Sequence, residues 1–316
     1  MNKEKYLVTS ALPYANGPIH FGHIAGAYLP ADIYVRFQRM RGVDIIYICG
    51  TDEHGVAITI SAEKEGATPQ AHVDKYYKVI KNIFDNFNIK FDNFSRTSLS
   101  HHYKLSQEFF TDLYNNGYVK ASLTNQLYCK KCNRFLADRY VMGICPACGH
   151  SAARGDECGK CGKWLEAMEL VEPRCKVCME KPEVRETKHW FLQLQLLSKK
   201  LMNWLNSHKE WKENVKNFIG NMIKGGLEER PITRDLDWGV PVPLTDAEGK
   251  VLYVWFDAPI GYISSTMEWA EKQGKPDMWK DYWYDKNCRL VHFIGKDNIS
   301  FHCVVWPAMI IGQNKP

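Results

Sequence analysis

The stretch Ser10-Ala-Leu-Pro-Tyr-Ala-Asn-Gly-Pro-Ile-His-Phe-Gly-His23 decides how the chain is read. An apolar run, Tyr6-Leu7-Val8, precedes it and predicts a strand over residues 5–11. After it, residues 22–40 carry apolar side chains at helical spacing, with Gly42 as the C-cap and Pro30 as a predicted kink. A strand, then a Pro/Gly/Asn-rich turn, then a helix start is where an open α/β sheet places a phosphate or a carboxylate. His20 and His23 stand three apart with Gly22 between them, so both imidazoles leave the first helical turn on one side. They face the positive end of the helix dipole. Two histidines at this spacing are, by themselves, more often incidental than functional. The turn before them makes an anion site the sharper reading, and Gly22 lets a flat base approach the backbone.

Working outward, Val43–Cys49 predicts a second strand, followed by Gly50-Thr-Asp-Glu-His-Gly55 and a helix to Glu65. This is a βαβ unit and favours a parallel sheet. Thr68-Pro69 opens a helix to about Phe87, and another spans Ser100 to Asn116 before Gly117. Residues 187–192 are strand-like, with helices following to about Ser207 and around 215–224, and 230–243 is expected to be largely irregular. Val251-Leu-Tyr-Val-Trp-Phe-Asp257 predicts a strand leading into a helix at Ala258-Pro259-Ile-Gly-Tyr262. Arg289–Gly295 predicts another strand, and Lys296-Asp-Asn-Ile-Ser-Phe-His302 leads into a last helix ending near Gly312. The strand-to-helix turns around His20, Asp52, Trp255–Tyr262 and Lys296–His302 should then cluster at one edge of a doubly wound parallel sheet. Asp52 there is either a helix cap or a carboxylate awaiting a substrate ammonium. Tyr14, Trp255, Tyr262, Phe301 and Trp306 are ordinary core aromatics taken singly. Together at strand ends they wall an apolar pocket that suits a thioether.

The chain has 316 residues, 45% apolar and 24% charged, with a formal charge of +5, so it is long enough for one large domain or two smaller ones. The mild positive charge permits a polyanionic partner without requiring one. No apolar run is long enough for a membrane span and the start lacks a signal-peptide core, so a cytoplasmic location is expected. Eight of the 11 cysteines form Cys-x-x-Cys pairs: Cys129/Cys132, Cys145/Cys148, Cys158/Cys161 and Cys175/Cys178. In such a compartment this pattern means metal rather than disulfides, with Zn2+ in one or two structural sites. Cys145, Cys148, Cys158 and Cys161 form one compact set, around which Cys129, Cys132, Cys175 and Cys178 would close a second. Pairing of successive knuckles is equally compatible with the spacing. Cys49, Cys288 and Cys303 lie in or beside apolar runs and are most simply buried small hydrophobes.

These blocks together resemble the methionyl-tRNA synthetases, a family of class I aminoacyl-tRNA synthetases. The resemblance rests on Ala11–His23, Gly50–Gly55, Val254–Tyr262, His292–His302 and the nested cysteine knuckles. Phe21 stands where the family often has Ile or Leu. It implies a Rossmann-like doubly wound parallel sheet, halved into residues 1–117 and 230–316, around a zinc-knuckle connective-peptide domain at 118–229, its knuckles at 129–178. The implied partners are methionine, ATP with Mg2+, and tRNA(Met). The resemblance also gives His20, Gly22, His23, Gly295 and Asp297 to ATP, with Lys296 in the same block. Asp52 is given to the methionine amino group. Leu12, Tyr14, Trp255, Ala258, Pro259, Tyr262, Phe301 and His302 are given to its pocket, with Arg234 and Asp297 in support. The family's Lys-Met-Ser-Lys-Ser signature and its helical anticodon-binding domain do not occur in this sequence. The expectation is therefore a catalytic fragment of impaired activity.

Overall fold

Strands β1 (Lys5–Ser10) and β2 (Asp44–Thr51) are buried almost throughout, as continuous apolar strands must be when both faces of a parallel sheet are covered. The computed structural model describes residues 4–155, 157–163 and 165–315. In it β1 and β2 join β3 (Asn93–Arg96) and the strand Cys288–Phe293 in a four-stranded sheet, every neighbouring pair parallel. Alternate side chains face opposite cores. Tyr6, Val8, Ile45 and Tyr47 pack with Ile24, Tyr28, Val35 and Ile80. Leu7, Ile46 and Ile48 pack with Trp269, Ala270 and Tyr282. The chain moves outward from β1 through β2 to β3, then returns to lay Cys288–Phe293 on the other side of β1. That reversal is the topological switch point at which open α/β sheets hold their ligands.

The helical run after the opening turn starts at Phe21–His23, passes through a π turn at Ile24–Tyr28 and continues as Leu29–Met40. The π turn is how the expected break at Pro30 is realised. Pro30 has no N–H to donate one turn back, and the Leu29 N–H reaches Ile24 instead.

The expected strand Val251–Asp257 is corrected. Only Lys250–Leu252 is extended, and it pairs antiparallel with Thr233–Asp235, outside the parallel sheet. From Tyr253 the chain turns helical: Phe256 and Asp257 both bond back to the Tyr253 carbonyl, at 2.7 and 3.2 Å. Phe256 and Asp257 are consecutive and both buried, which a strand with one buried face does not allow. The segment 230–243, expected to be irregular, contributes the short strands Arg230–Pro231 and Thr233–Asp235.

A long antiparallel ribbon, Val119–Cys129 against Glu183–Leu192, leads out to the cysteine-bearing segment, which has its own small core. The helices Ser198–Ser207 and Glu213–Lys224 instead share a core with Phe110, Leu113, Trp306 and Met309. No described helix is long and apolar enough to cross a membrane.

The end of β2 is fixed by Glu53, a fully buried carboxylate whose oxygens accept from Arg96 Nε at 2.8 and 3.0 Å, from Thr51 Oγ1 at 2.6 Å and from Ser98 Oγ. Arg96 also bridges to Asp74, whose side chain is 43% exposed. Arg96→Ala leaves the Glu53 charge buried without its cation, so it should destabilise the fold by about 3–5 kcal/mol, whereas Asp74→Ala should cost under about 1 kcal/mol. Urea unfolding of the two variants checks the contrast.

Candidate active site

At the carboxyl edge of the sheet the opening turn is clamped on both sides. The Ala11 N–H bonds the Phe293 carbonyl at 3.0 Å, while Ala15 and Asp52 exchange backbone bonds with Asp52 and Pro13 at 2.8 and 3.0 Å. Tyr14 is thereby bridged to Asp52. Gly55 has φ +101, and a Cβ there would lie 3.2 Å from the Tyr14 hydroxyl and 3.3 Å from Val254, so three segments meet at this glycine. Gly261 gives Leu12 its seat, since a Cβ would come within 2.8 Å of Leu12 Cδ2. Trp255, 44% exposed, meets Phe301 edge to face at 5.2 Å. Pro259 and Tyr262 are buried, and Ala258 is half-buried. Leu12, Tyr14, Asp52, Trp255, Tyr262, Phe301 and His302 thus come from segments far apart in sequence onto one edge of the sheet.

Hydrogen bonding fixes the tautomers. The Asn298 carbonyl lies 3.1 Å from His302 Nδ1, so that nitrogen carries the proton and Nε2 accepts from the Tyr262 hydroxyl at 2.9 Å. Burial lowers His302 to about 4, and burial with the neighbouring His302 charge lowers His292 to about 3. Both rings are therefore neutral at ordinary pH. His292 Nδ1 meets Thr9 Oγ1 and its ring lies 5.0 Å from that of Tyr262. Asp52 is partly exposed as a residue, but its Oδ1 is buried and has no partner among the described residues. Burial, and then the Asp257 charge, push its carboxyl well above the usual range.

His20 and His23 form a capping box at the helix start. The Gly22 N–H donates to His20 Nδ1 at 3.1 Å and the His20 N–H to His23 Nδ1 at 3.2 Å. With both Nδ1 atoms accepting, each neutral ring carries its proton on Nε2. The rings stack at 3.8 Å, so they sit side by side and exposed, as the spacing predicts. Gly22 is packed against this pair, because a Cβ would meet the His20 ring at 3.0 Å.

Three of the predicted residues stand at the site's margin. Lys296 and Asp297 stand exposed on a 3-10 turn that Gly295 caps, beyond the Cys288–Phe293 strand. Arg234 stacks its guanidinium 3.9 Å over the Tyr253 ring, one residue before Val254.

The eight paired cysteines gather into two nested sets, Cys145/Cys148/Cys158/Cys161 and Cys129/Cys132/Cys175/Cys178, with all sulfurs of a set within 4.8 Å of one another. Sulfur pairs lie 3.3 and 3.8 Å apart in the outer set and 3.6 and 3.9 Å in the inner. Tetrahedral zinc at about 2.3 Å from each thiolate demands edges of about 3.8 Å, so both sets fit the metal. After each second cysteine comes a left-handed residue, Asn133, Gly149, Gly162 or Met179, which closes the knuckle. The backbone N–H groups of Cys161 and Lys160 pull the Cys158 thiol down to about 6.

Sequence reasoning missed a group behind the pocket: buried Glu53, His54, His102 and Asp257, with the half-buried Arg96 and Tyr103. Two of these had a readable signal. His102 falls at helical spacing with buried Ser106, Phe109 and Leu113, and Asp257 lies among apolar neighbours.

A family model described as tRNA synthetases class I (M) matches residues 6–316. The methionine–tRNA ligase of Rubrobacter xylanophilus is 57% identical over 309 residues, covering 98% of this chain and 54% of the relative. The chain belongs to the class I methionyl-tRNA synthetase family. The methionine–tRNA ligase of Pyrococcus furiosus is 52% identical over 315 residues, covering 98% of this chain and 43% of its own. Methionyl-tRNA synthetase of Mycobacterium tuberculosis, solved bound by methionyl-adenylate, superposes with a TM-score of 0.73 at 26% identity, over 99% of this chain and 55% of that one. The chain spans about half the length of the curated relatives it matches.

The neutral histidines carry a pH signature. In the unfolded chain each titrates near 6.5, whereas His302 folded does so at about 4. Between those values the unfolded state binds the extra proton, so this contribution to stability is complete above about pH 6.5 and is lost as pH falls toward 4. The Tm advantage of the wild type over His302→Gln should accordingly shrink between pH 7 and pH 4.5. Thermal melts showing a constant difference would refute the neutral assignment.

Proposed function

We propose that this chain is the catalytic and metal-binding portion of a methionine–tRNA ligase. It joins methionine to ATP, giving methionyl-adenylate and pyrophosphate, and the methionyl group then passes to the 3′-terminal ribose of tRNA(Met). The observation that carries the reading is Asp52 Oδ1, a buried carboxylate oxygen without a partner, beside Tyr14 at the sheet's switch point. Leaving such an oxygen unpaired is costly, and a substrate ammonium supplies the missing charge-assisted bond.

In this reading Leu12, Tyr14, Trp255, Ala258, Pro259, Tyr262, Phe301 and His302 enclose the methionine side chain. Because the Tyr262 proton is held by His302 Nε2, its oxygen presents lone pairs to the ligand. His20 and His23 direct Nε2–H donors at the ATP phosphates. Gly22 and Gly295 lie along the nucleotide, and Lys296, Asp297 and Arg234 close on the substrates from the rim. Catalysis is then orientation of the methionine carboxylate for in-line attack on the α-phosphate, with the developing charge met by the fixed imidazole donors. Mg2+ enters with ATP and neutralises phosphate charge. Both cysteine sets hold structural Zn2+, since four thiolates leave no open position for a reacting ligand. The chain divides into catalytic halves 1–117 and 230–316 around the connective peptide 118–229, and acts in the cytoplasm.

Asp52→Ala should weaken methionine binding far more than ATP binding by calorimetry; an equal loss of both ligands would make Asp52 a structural residue. Elemental analysis should find two zinc ions per chain. Cys129→Ser and Cys178→Ser should each lose the same one, leaving the ion held by Cys145, Cys148, Cys158 and Cys161 in place.

A further inference from the structure

Behind the pocket lies a buried carboxylate that no contact proposed above uses. Asp257 Oδ2 accepts from His54 Nδ1 at 2.7 Å and from His102 Nε2 at 3.3 Å. All three residues are fully buried. His54 Nε2 meets the Tyr103 hydroxyl at 3.0 Å, and His102 Nδ1 meets Ser264 Oγ at 2.9 Å. One carboxylate oxygen therefore joins the loop after β2, the helix Ser100–Asn115 and the helix start at Val254–Asp257.

Position in the chain gives this junction its consequence. His54 lies two residues after Asp52, and Glu53 between them is locked by Arg96. Asp257 lies two residues after Trp255. The turn Val254–Asp257 is four residues long and has no side-chain cap, so it has little stability of its own. Trp255 is 44% exposed, and among the described residues the ring it meets, edge to face, is Phe301. What docks its turn against the β2 loop is the Asp257–His54 bond, together with the close seat of Val254 against Gly55.

We propose that His54 and Asp257 are positioning residues, a buried strut that sets the distance between the carboxylate and the aromatic wall of the amino-acid pocket. This rests on the assignment of Asp52 and Trp255 to the methionine site. His54 touches neither reactant. It fixes the spacing that a ligand must match at its amino end and its side chain together. The ATP side, carried by the helix start at His20 to His23, lies outside the strut.

The test measures methionine and ATP dissociation constants by calorimetry, with Tm, for the wild-type chain and for His54→Ala, His54→Asn and His54→Gln. Asn places an N–H where Nδ1 stood and keeps the bond to Asp257. Gln reaches toward Tyr103 and does not. His54→Ala should weaken methionine binding about 10–100-fold, the range in which outer supporting partners and small misplacements act. ATP binding should be unchanged. His54→Asn should recover most of the methionine affinity and His54→Gln should not, whatever the order of their Tm values. Should the alanine variant not fold, the Asn–Gln contrast still decides. Wild-type affinity in both His54→Ala and His54→Gln, or affinities that merely follow Tm and fall equally for the two ligands, would overturn the strut. A wild-type chain that binds no methionine overturns the functional reading itself, and the strut with it.

Discussion

The pairing of β1 with Cys288–Phe293 is the constraint on which the site depends. Residues nearly a chain length apart are held in register from Lys5 opposite Cys288 to Ser10 opposite Phe293. Because β2 occupies the other edge of β1, the turn that leaves β1 has neighbours on both sides. Its backbone bonds Phe293 on one side and Asp52 on the other. The turn has no regular structure of its own, yet its backbone is held by hydrogen bonds on both flanks. That is how an irregular, Pro- and Gly-rich segment presents Leu12 and Tyr14 in one direction and His20 and His23 in another without being flexible.

Three acidic residues around this edge show how environment divides one chemistry into separate tasks. Glu53 has its charge cancelled by Arg96 and its oxygens filled, so it is structural. Burial opposes ionisation of Asp257, but His54 and His102 more than offset it and hold the carboxyl below its ordinary value. Asp52 has no arginine or histidine side chain to offset its burial and, like Asp257 at its own Oδ1, keeps a buried oxygen unpaired. Its carboxyl is raised by burial and by Asp257. An arriving cation gains most at the site whose charge the protein has not already satisfied. Glu53 is committed to Arg96 and Asp257 to His54 and His102, and both are fully buried, so the partly exposed Asp52 is the one of the three placed to receive it.

The parts of this arrangement legible in the sequence are those whose physics is local. The apolar runs of β1 and β2, the turn between them and the histidine pair were all readable, because strand, turn and capping preferences act over a few residues. Val251–Asp257 misled for the same reason: six apolar and aromatic residues in a row satisfy strand and helix patterns alike. The decision came from Leu252 pairing with Thr233 and from Tyr253 accepting two helical bonds. The strut was invisible at that level, since His54 and Asp257 are 203 positions apart and no local pattern pairs them.

The cysteine pairs show the same divide. Spacing alone admits nested or successive pairing. The antiparallel ribbon removes the choice, because its register sets Tyr128 opposite Glu183 at the base of the segment. Cys129 follows Tyr128 directly, and Cys178 stands just before Glu183, so the first and last knuckles are delivered to the same place by backbone hydrogen bonds before any metal is considered. The two middle knuckles are then left to each other. A metal in the outer set would thus hold the end of the ribbon at Tyr128 and Glu183, whereas one in the inner set would hold only the loop beyond it.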